Sequence, residues 1–306
     1  MIMQIGVMVP VSHETDVRKE MEKIASLGLQ SCQLSIWDPT LYTDEFAAEV
    51  NAASAATGIT VSTLWAGYTG TIEWNFTYGP LTAGLVPPCY RGLREKEMLL
   101  GSEFAEKIHV TQMATHVGFL PENYFDPDFR GTIAVLRRIC QIMKTRGQTF
   151  LFETGQETPV TVLRAIEEIG MDNVGINFDT ANVMLYGRDN PADAVLVFGK
   201  YIRDTHIKDG FYPTNGRELG AEAPAGKGLA NFPLILRRLR DAGYTGPFTI
   251  EREISGEEQI RDIRAAAEML RGIEKQLDAE DAARDAASER LSDIEKQLDA
   301  GNTTNA

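Results

Sequence analysis

Basic residues and histidines are few in this sequence. Its 306 residues include 30 lysines and arginines against 44 aspartates and glutamates, so the net charge is −14, and histidine occurs four times. Nucleic acids and anionic membrane surfaces are bound through basic patches, which this charge balance does not favour. We therefore expect neither a nucleic acid nor a membrane as a partner.

Cysteines, long apolar runs and nucleotide-binding motifs are also scarce or absent. The three cysteines are widely spaced and form neither a disulfide framework nor a CxxC zinc pattern, which indicates a cytoplasmic protein. No run of about 18 apolar residues occurs, so no membrane span is expected. The apolar start MIMQIGVMVP lacks a basic flank and a cleavage site, and we interpret it as a first strand rather than a signal peptide.

The sequence does contain a regular alternation of β-branched apolar runs with longer segments of helical period. This alternation predicts βαβ units and a parallel sheet. The predicted strands are Gln4–Val9, Ser31–Ile36, Thr60–Trp65, Gln112–Val117, Thr149–Glu153, Val174–Phe178, Ile202–Ile207 and Phe248–Glu251. Eight strands with intervening helices in about 270 residues match an α/β fold of the (β/α)₈ TIM-barrel type. We place the barrel at residues 1–272. A doubly wound open sheet is the alternative, but no GxGxxG or P-loop follows the first strand.

Helix ends are marked by two kinds of residue. Gly28, Gly58 and Gly243 each follow a helical segment, as expected for glycine just past a helix C-terminus. Thr158 and Pro159 form the pair expected at a helix start, an N-cap followed by proline.

Two segments depart from the alternation. Residues 66–88 follow the third strand and are aromatic and rich in glycine; long loops at this end of a barrel often act as lids. Residues 273–306 form an acidic tail in which IEKQLDA occurs at 273–279 and again at 294–300. That offset equals three heptads, so we expect a helical tail that is either solvated or used for oligomerisation. The last residues, GNTTNA, are expected to be disordered.

Metal-type ligands end four consecutive predicted strands. They are Glu153 in FLFETG, Asp179 in INFDTAN, His206 in THIKDG and Glu251 in TIERE. In a barrel these strand ends converge on one site. Carboxylates buried around one point repel each other unless a cation pairs with them, so we predict one divalent metal ion. Three oxygen donors and one histidine favour Mn²⁺, with Mg²⁺ or Co²⁺ possible, over structural zinc.

Four protein ligands leave two positions of an octahedron for a substrate. A bidentate hydroxy-carbonyl substrate would fill them, and the ion would polarise the carbonyl. A carboxylate within hydrogen-bond reach can then abstract the proton on the neighbouring carbon and give an enediolate.

The motifs FETG, FDTAN, HIKDG, GKG at Gly226–Gly228, and TIERE occur in the order and at the strand positions of a known superfamily. Over residues 1–272 the chain resembles the xylose-isomerase-like superfamily of sugar isomerases and epimerases. In the ketose 3-epimerase branch, the two metal-bound glutamates are also the acid and base. The resemblance therefore implies these catalytic roles for Glu153 and Glu251.

Asn182 departs from the pattern of that branch, which usually has a histidine three residues after the strand-six aspartate. Asparagine can hydrogen-bond a sugar hydroxyl but cannot shuttle a proton near neutral pH. A simple tagatose- or allulose-type epimerase is thus disfavoured, whereas isomerase, dehydratase and lyase relatives stay open.

Five residues are candidates for substrate binding. His116 ends the fourth predicted strand, Lys208 lies two residues past His206, and Trp65 could stack on a sugar ring together with aromatic residues of the segment 66–88. Asn182 could hydrogen-bond a hydroxyl, and Arg217 in the loop after strand seven could meet an anionic group. The expected partner is a small sugar or glycoside, and a homo-oligomer is possible by analogy with other barrels.

The sequence favours a metal-dependent isomerase or epimerase of a ketose or related sugar. The runner-up is a dehydratase or lyase that acts on an inosose or a 3-oxo-glycoside through the same metal site. An apurinic endonuclease relative is disfavoured by the net charge and the few histidines. A sugar-binding barrel without turnover is a further alternative, since a fold alone does not establish activity.

Overall fold

Eight parallel strands close into a barrel in a computed structural model. The structure describes residues 3–303, and beyond residue 288 it describes the side chains of Arg290 and Leu291 only. The barrel strands are β1 (Ile5–Val11), β2 (Ser31–Ile36), β3 (Thr60–Ala66), β4 (Gln112–Thr115), β5 (Thr149–Glu153), β6 (Val174–Asp179), β7 (Ile202–Ile207) and β10 (Phe248–Ile250). Neighbours around the barrel follow chain order, and β10 closes it by pairing with β1 and β7. The predicted (β/α)₈ fold is confirmed.

Strand ends differ from the prediction by a few residues. β4 stops at Thr115, so His116 is the first residue of the following loop, and β10 stops at Ile250, just before Glu251. The short antiparallel strands β8 (Asp209–Gly210) and β9 (Glu222–Ala223) follow β7 and were not predicted. Strands of two residues are too short to show an alternating pattern.

Helices cover the outside of the barrel. The described helices are α1 (Val17–Ser26), α2 (Asp44–Thr57), α3 (Gly79–Thr82), α4 (Pro88–Lys107), α5 (Pro127–Thr145), α6 (Pro159–Ile169), α7 (Asn182–Leu185), α8 (Pro191–Phe198), α9 (Phe232–Asp241) and α10 (Glu257–Thr303), with 3₁₀ turns at Pro39–Leu41 and Gly199–Tyr201. The expected start at Thr158 is confirmed, because its side chain accepts the N–H of Thr161. Gly58 ends α2 at a φ of 75°, which favours glycine.

A polar bridge crosses the barrel interior below the strand ends. Asp204 of β7 is fully buried, and its carboxylate accepts the hydroxyl groups of Ser62 and Thr63 on β3 at 2.8 and 2.7 Å. The other oxygen accepts from Thr249 on β10 at 2.9 Å. These bonds satisfy the hydrogen-bonding needs of a buried carboxylate. They also link β3 to β7 and β10, with which β3 does not pair in the barrel.

The segment 66–88 is fastened to α4 by one arginine. Arg94 is fully buried and donates to four backbone oxygens, those of Thr69, Thr71, Thr82 and Gly84, at 2.6 to 3.2 Å. Because a guanidinium has five donors in a fixed plane, it sets the path of the segment at both ends.

The long helix α10 continues through residues 280–284 to Thr303. The chain divides into two compact units, of which the first ends at Ala267 and the second begins at Glu268. In the predicted tail, Ile273 and Leu277 are buried and Leu291 is exposed. Disorder is predicted for GNTTNA at residues 301–306. Residues 301–303 are helical, and residues 304–306 lie outside the described residues. A role of the tail in oligomerisation stays a prediction.

Within residues 3–303, no helix has the length and apolar character needed to cross a membrane.

Candidate metal centre and substrate cavity

The four predicted ligands lie together at the carboxyl ends of the barrel strands. Glu153 ends β5, Asp179 ends β6, His206 is the next-to-last residue of β7, and Glu251 follows β10. Strand pairing sets Asp179 beside His206. One ligand atom from each of the four side chains lies within 4.8 Å of the others. Glu153, Asp179 and His206 are buried and Glu251 is partly buried.

The imidazole of His206 is oriented by side chains below it. Its Nε2 lies 2.9 Å from Gln33 Oε1, an oxygen that only accepts, so Nε2 carries the hydrogen. Gln33 in turn donates to Asn177 Oδ1 at 3.0 Å. Burial lowers the pKa of His206, but the charges of Glu153 and Glu251 outweigh it and raise the pKa well above its usual value. Nδ1 therefore also carries a hydrogen, 3.0 Å from Glu153 Oε1 and 3.2 Å from Glu251 Oε2, and a bound ion would replace this hydrogen. Metal-binding histidines are commonly fixed by such a bond to the far nitrogen.

Two buried carboxylate oxygens of the cluster, Asp179 Oδ2 and Glu251 Oε2, accept no hydrogen bond among the described residues, and their polar neighbours are His206 Nδ1 and Lys208 Nζ at 3.1 to 3.8 Å. The other Asp179 oxygen accepts the backbone N–H groups of Ala181 and Asn182, both at 2.8 Å. Three buried carboxylates around one point are costly, and these two cationic groups offset only part of their charge. Carboxylate oxygens and an imidazole nitrogen are ligands of hard and borderline divalent ions, so the four residues fit such an ion.

Lys208 brings a positive charge to the edge of the cluster. Its side chain is 1% exposed, and Nζ lies 3.1 Å from Glu251 Oε2, 3.7 Å from Asp179 Oδ2 and 2.7 Å from Glu253 Oε1. Nζ also donates to Asn182 Oδ1 at 3.4 Å. The lysine thus offsets part of the acidic charge of the cluster.

The two glutamates of the centre have separated pKa values. Burial raises the pKa of Glu153 to about 7, and the charge of His206 offsets only part of this effect. Burial acts in the same direction on Glu251, but the charges of Lys208 and His206 outweigh it and hold the pKa of Glu251 well below its usual value. At neutral pH Glu251 is ionised, whereas Glu153 is partly protonated. Such a pair is suited to act as base and acid.

Trp65 and His116 flank Glu153. The indole N–H of Trp65 donates to Glu153 Oε2, and His116 Nε2 lies 3.8 Å from Glu153 Oε1. Burial lowers the pKa of His116 to about 3, so its ring is neutral at physiological pH. Trp65 therefore positions the carboxylate, and His116 presents a neutral ring beside it.

A cavity of about 410 Å³ is lined by two of the four candidate ligands, Glu153 and Glu251. Three of the five predicted substrate residues line it, namely Trp65, His116 and Asn182. Lys208 does not line the cavity itself, but it is buried and donates to Asn182, which does. The structure does not bring Arg217 to the cavity: it is exposed in the loop after β7 and lies outside the lining residues.

Sequence analysis missed several residues of the cavity wall. Trp37, directly after β2, lines it, as do Arg252, Glu253 and Gln259. Trp74 also lines it and is one of the aromatic residues of the segment 66–88 that were expected to stack on a sugar. Trp37 could have been found by its place at a strand end, the same signal that identified the ligands. Gln259 lies in α10 and carries no such signal.

Asp209 joins the HIKDG and GKG motifs. Its carboxylate accepts the backbone N–H groups of Gly226, Gly228 and Ala230 at 2.8 to 2.9 Å. A Cβ on Gly228 would lie 2.2 Å from Asp209 Oδ1, so the position requires glycine. These motif residues shape the loop after β7 rather than bind the metal.

The family described as xylose isomerase-like TIM barrel matches residues 21–273. The chain belongs to this family. The match spans all five motifs, which confirms the resemblance seen in the sequence.

Two similar proteins match this chain over different shares of its length. A xylose isomerase domain protein from Planctomyces limnophilus is 33% identical, and its solved structure superimposes with a TM-score of 0.84 over 90% of this chain and 98% of the other. An uncharacterised protein from Methanocaldococcus jannaschii is 27% identical over 172 residues, which are 52% of this chain and 55% of that protein. The chain thus spans about half the length of this curated relative.

Solved sugar enzymes share the fold. The 3-keto-D-glucoside 4-epimerase of E. coli superimposes with a TM-score of 0.67 and 19% identity over 89% of this chain and all of the other. A D-psicose 3-epimerase and a probable 3-DHS dehydratase are further neighbours. At such identities the likeness establishes the fold alone.

Proposed function

We propose that the protein is a divalent-metal-dependent isomerase or epimerase of a ketose or related oxo-sugar, with Mn²⁺ preferred and Mg²⁺ or Co²⁺ possible. The observation that carries the proposal is the group of Glu153, Asp179, His206 and Glu251, whose ligand atoms lie within 4.8 Å of one another and of which Glu153 and Glu251 line the cavity. When bound, the ion polarises a substrate carbonyl and acidifies the neighbouring C–H. The sugar epimerases among the structural neighbours support this substrate class.

Glu251 and Glu153 would move the proton. Glu251 is ionised and takes the proton from the carbon beside the carbonyl, whose oxygen accepts the electron pair left behind. Glu153, the second glutamate of the cluster, would return a proton to the same carbon. Glu153 extends from β5 and Glu251 from the end of β10, which do not pair with each other, and epimerisation would require the two to act on opposite faces of that carbon.

Side chains around the cavity would position the sugar. Asn182 and His116 offer hydrogen bonds to hydroxyl groups, and Trp65 fixes the orientation of Glu153. Lys208, held between Glu251 and Glu253, places an ammonium group where it can stabilise negative charge on the substrate oxygen.

The second candidate is a dehydratase or lyase that takes the same proton and then expels a group from the next carbon. Asn182 favours it, because an amide cannot take part in proton return near neutral pH. A probable dehydratase is also among the structural neighbours. The two candidates share the first step and differ in the product.

The first test is proton NMR in D₂O of the Mn²⁺-loaded protein with ketoses, inososes and 3-oxo-glucosides. We expect deuterium to enter the carbon beside the carbonyl. Glu251→Gln and a chelated sample serve as controls and are expected to lose the exchange. The product then separates epimerisation from elimination. An absence of exchange with every compound, while calorimetry shows that Mn²⁺ is bound, would exclude the proposed chemistry for these substrates.

A further inference from the structure

The mouth of the cavity is built from tryptophan side chains. The indole of Trp65, whose N–H binds Glu153, packs 4.8 Å from the ring of Trp37, which lies 6.2 Å from the ring of Trp74. Trp65 is 2% exposed, whereas Trp37 is 37% and Trp74 is 40% exposed. A chain of three indoles therefore runs from the catalytic carboxylate to the surface.

The outer indoles are held in place rather than free to move. Arg94 fixes the segment that carries Trp74 through four backbone oxygens, and its guanidinium stacks on the rings of Tyr68 and Tyr90 at 4.3 and 4.2 Å. A Cβ on Gly67 would lie 2.6 Å from Trp37 Cα, so the start of the segment packs directly against Trp37. Exposed aromatic surface that is fixed in this way is typical of a preformed binding site.

The cavity has more volume than one sugar ring bound to the candidate ligands would fill. Its volume of about 410 Å³ lies in the range of roughly 300 to 1,000 Å³ that is typical of pockets for drug-sized ligands. One sugar ring on the four ligands leaves room toward the mouth.

The cavity lining also contains polar side chains, namely Arg252, Glu253 and Gln259. A ring at the mouth would therefore have both apolar indole faces and hydrogen-bonding groups within the same cavity. This combination suits a second ring joined to the reacting sugar, because such a ring has an apolar face and polar edges.

We infer that Trp37 and Trp74 form a subsite for a second ring, so that the substrate is a glycoside of an oxo-sugar rather than a free ketose. The inference rests on the proposed function, since the reacting ring is placed on the metal-type ligands. The second ring is either another sugar or an aromatic group, and both would use the same apolar contact.

The test compares kcat/KM for methyl 3-oxo-glucoside, phenyl 3-oxo-glucoside and a 3-oxo-disaccharide. We expect at least one two-ring compound to exceed the methyl compound by about 10-fold, mainly through KM, and the more effective one identifies the second ring. Trp74→Ala and Trp37→Ala should each remove most of this preference by raising KM for the two-ring compounds, whereas Trp74→Phe should retain much of it. Tyr78→Ala is the matched control, because Tyr78 is in the same segment, is 58% exposed and does not line the cavity.

Equal kcat/KM for one-ring and two-ring compounds, or a loss with Tyr78→Ala as large as with Trp74→Ala, overturns the subsite. Failure of the proposed function is a separate outcome, since it shows as no deuterium exchange with any compound. In that case calorimetry with unoxidised phenyl and methyl glucosides decides, because the subsite requires tighter binding of the phenyl compound that Trp74→Ala abolishes.

Discussion

Glu157 is a buried carboxyl group outside the proposed chemistry. Both of its oxygens lack a hydrogen-bond partner among the described residues, and burial raises its pKa to about 8. Its position in the sequence, just before the N-cap Thr158, is that of an ordinary carboxylate at a helix start. A sequence motif does not show how far the Glu157 carboxyl group is desolvated, because burial depends on which residues cover it in the folded protein.

The raised pKa of Glu157 predicts a pH-dependent stability. The folded chain holds this proton more tightly than the unfolded chain, so stability falls as pH rises from about 4.5 to about 8, by at most about 1.4 kcal/mol per unit. Glu157→Gln removes the effect. In urea unfolding, the variant should gain stability relative to the native chain between pH 5 and pH 8. Parallel pH profiles of the two proteins would contradict the assignment.

Gln33 should control metal affinity without touching the ion. Gln33→Met removes the acceptor that keeps the hydrogen of His206 on Nε2, so Nδ1 loses its fixed orientation. We expect Mn²⁺ affinity to fall about 10- to 100-fold by titration calorimetry. Gln112→Met, in β4 and away from the cluster, is the control. Unchanged affinity in Gln33→Met would show that the histidine is oriented by other contacts.

At the scale of elements, Arg94 of α4 holds the segment 66–88 against that helix. Arg94→Leu leaves four backbone oxygens without their donor and should lower the free energy of unfolding by about 3 kcal/mol. Hydrogen exchange of amides in residues 67–86 should accelerate. Lys96→Met, on the exposed side of the same helix, should change neither quantity. Slow exchange in Arg94→Leu would mean that the segment is held by other contacts, such as Glu97 with Thr69.

Elements also explain what the sequence could and could not predict. The ligands were found because each lies at the end of an apolar strand, and a barrel brings such ends together. Arg94 was missed because its partners belong to a segment ahead of α4, and no period of the helix reveals them. Arg217 was placed near the site by its position after β7, but this loop is long enough to carry it to the surface.

The charge of the whole molecule predicts how it behaves toward DNA. With a net charge of −14 and one cluster of metal-type ligands in the described residues, binding to a polyanion is unfavourable. We expect no cleavage of a duplex with an abasic site at physiological salt in the presence of Mn²⁺. Nicking that Asp179→Asn abolishes would instead support the endonuclease alternative.

The bridge at Asp204 bears on how such a barrel can be divided. Its donors Ser62 and Thr63 belong to the first half of the chain, whereas Asp204 and Thr249 belong to the second. A fragment that ends between β4 and β5 keeps two hydroxyl groups, and its complement keeps a carboxylate that has lost two of its donors. Neither half-barrel is self-sufficient, so two separately produced fragments should recover the fold by complementation rather than as independent domains.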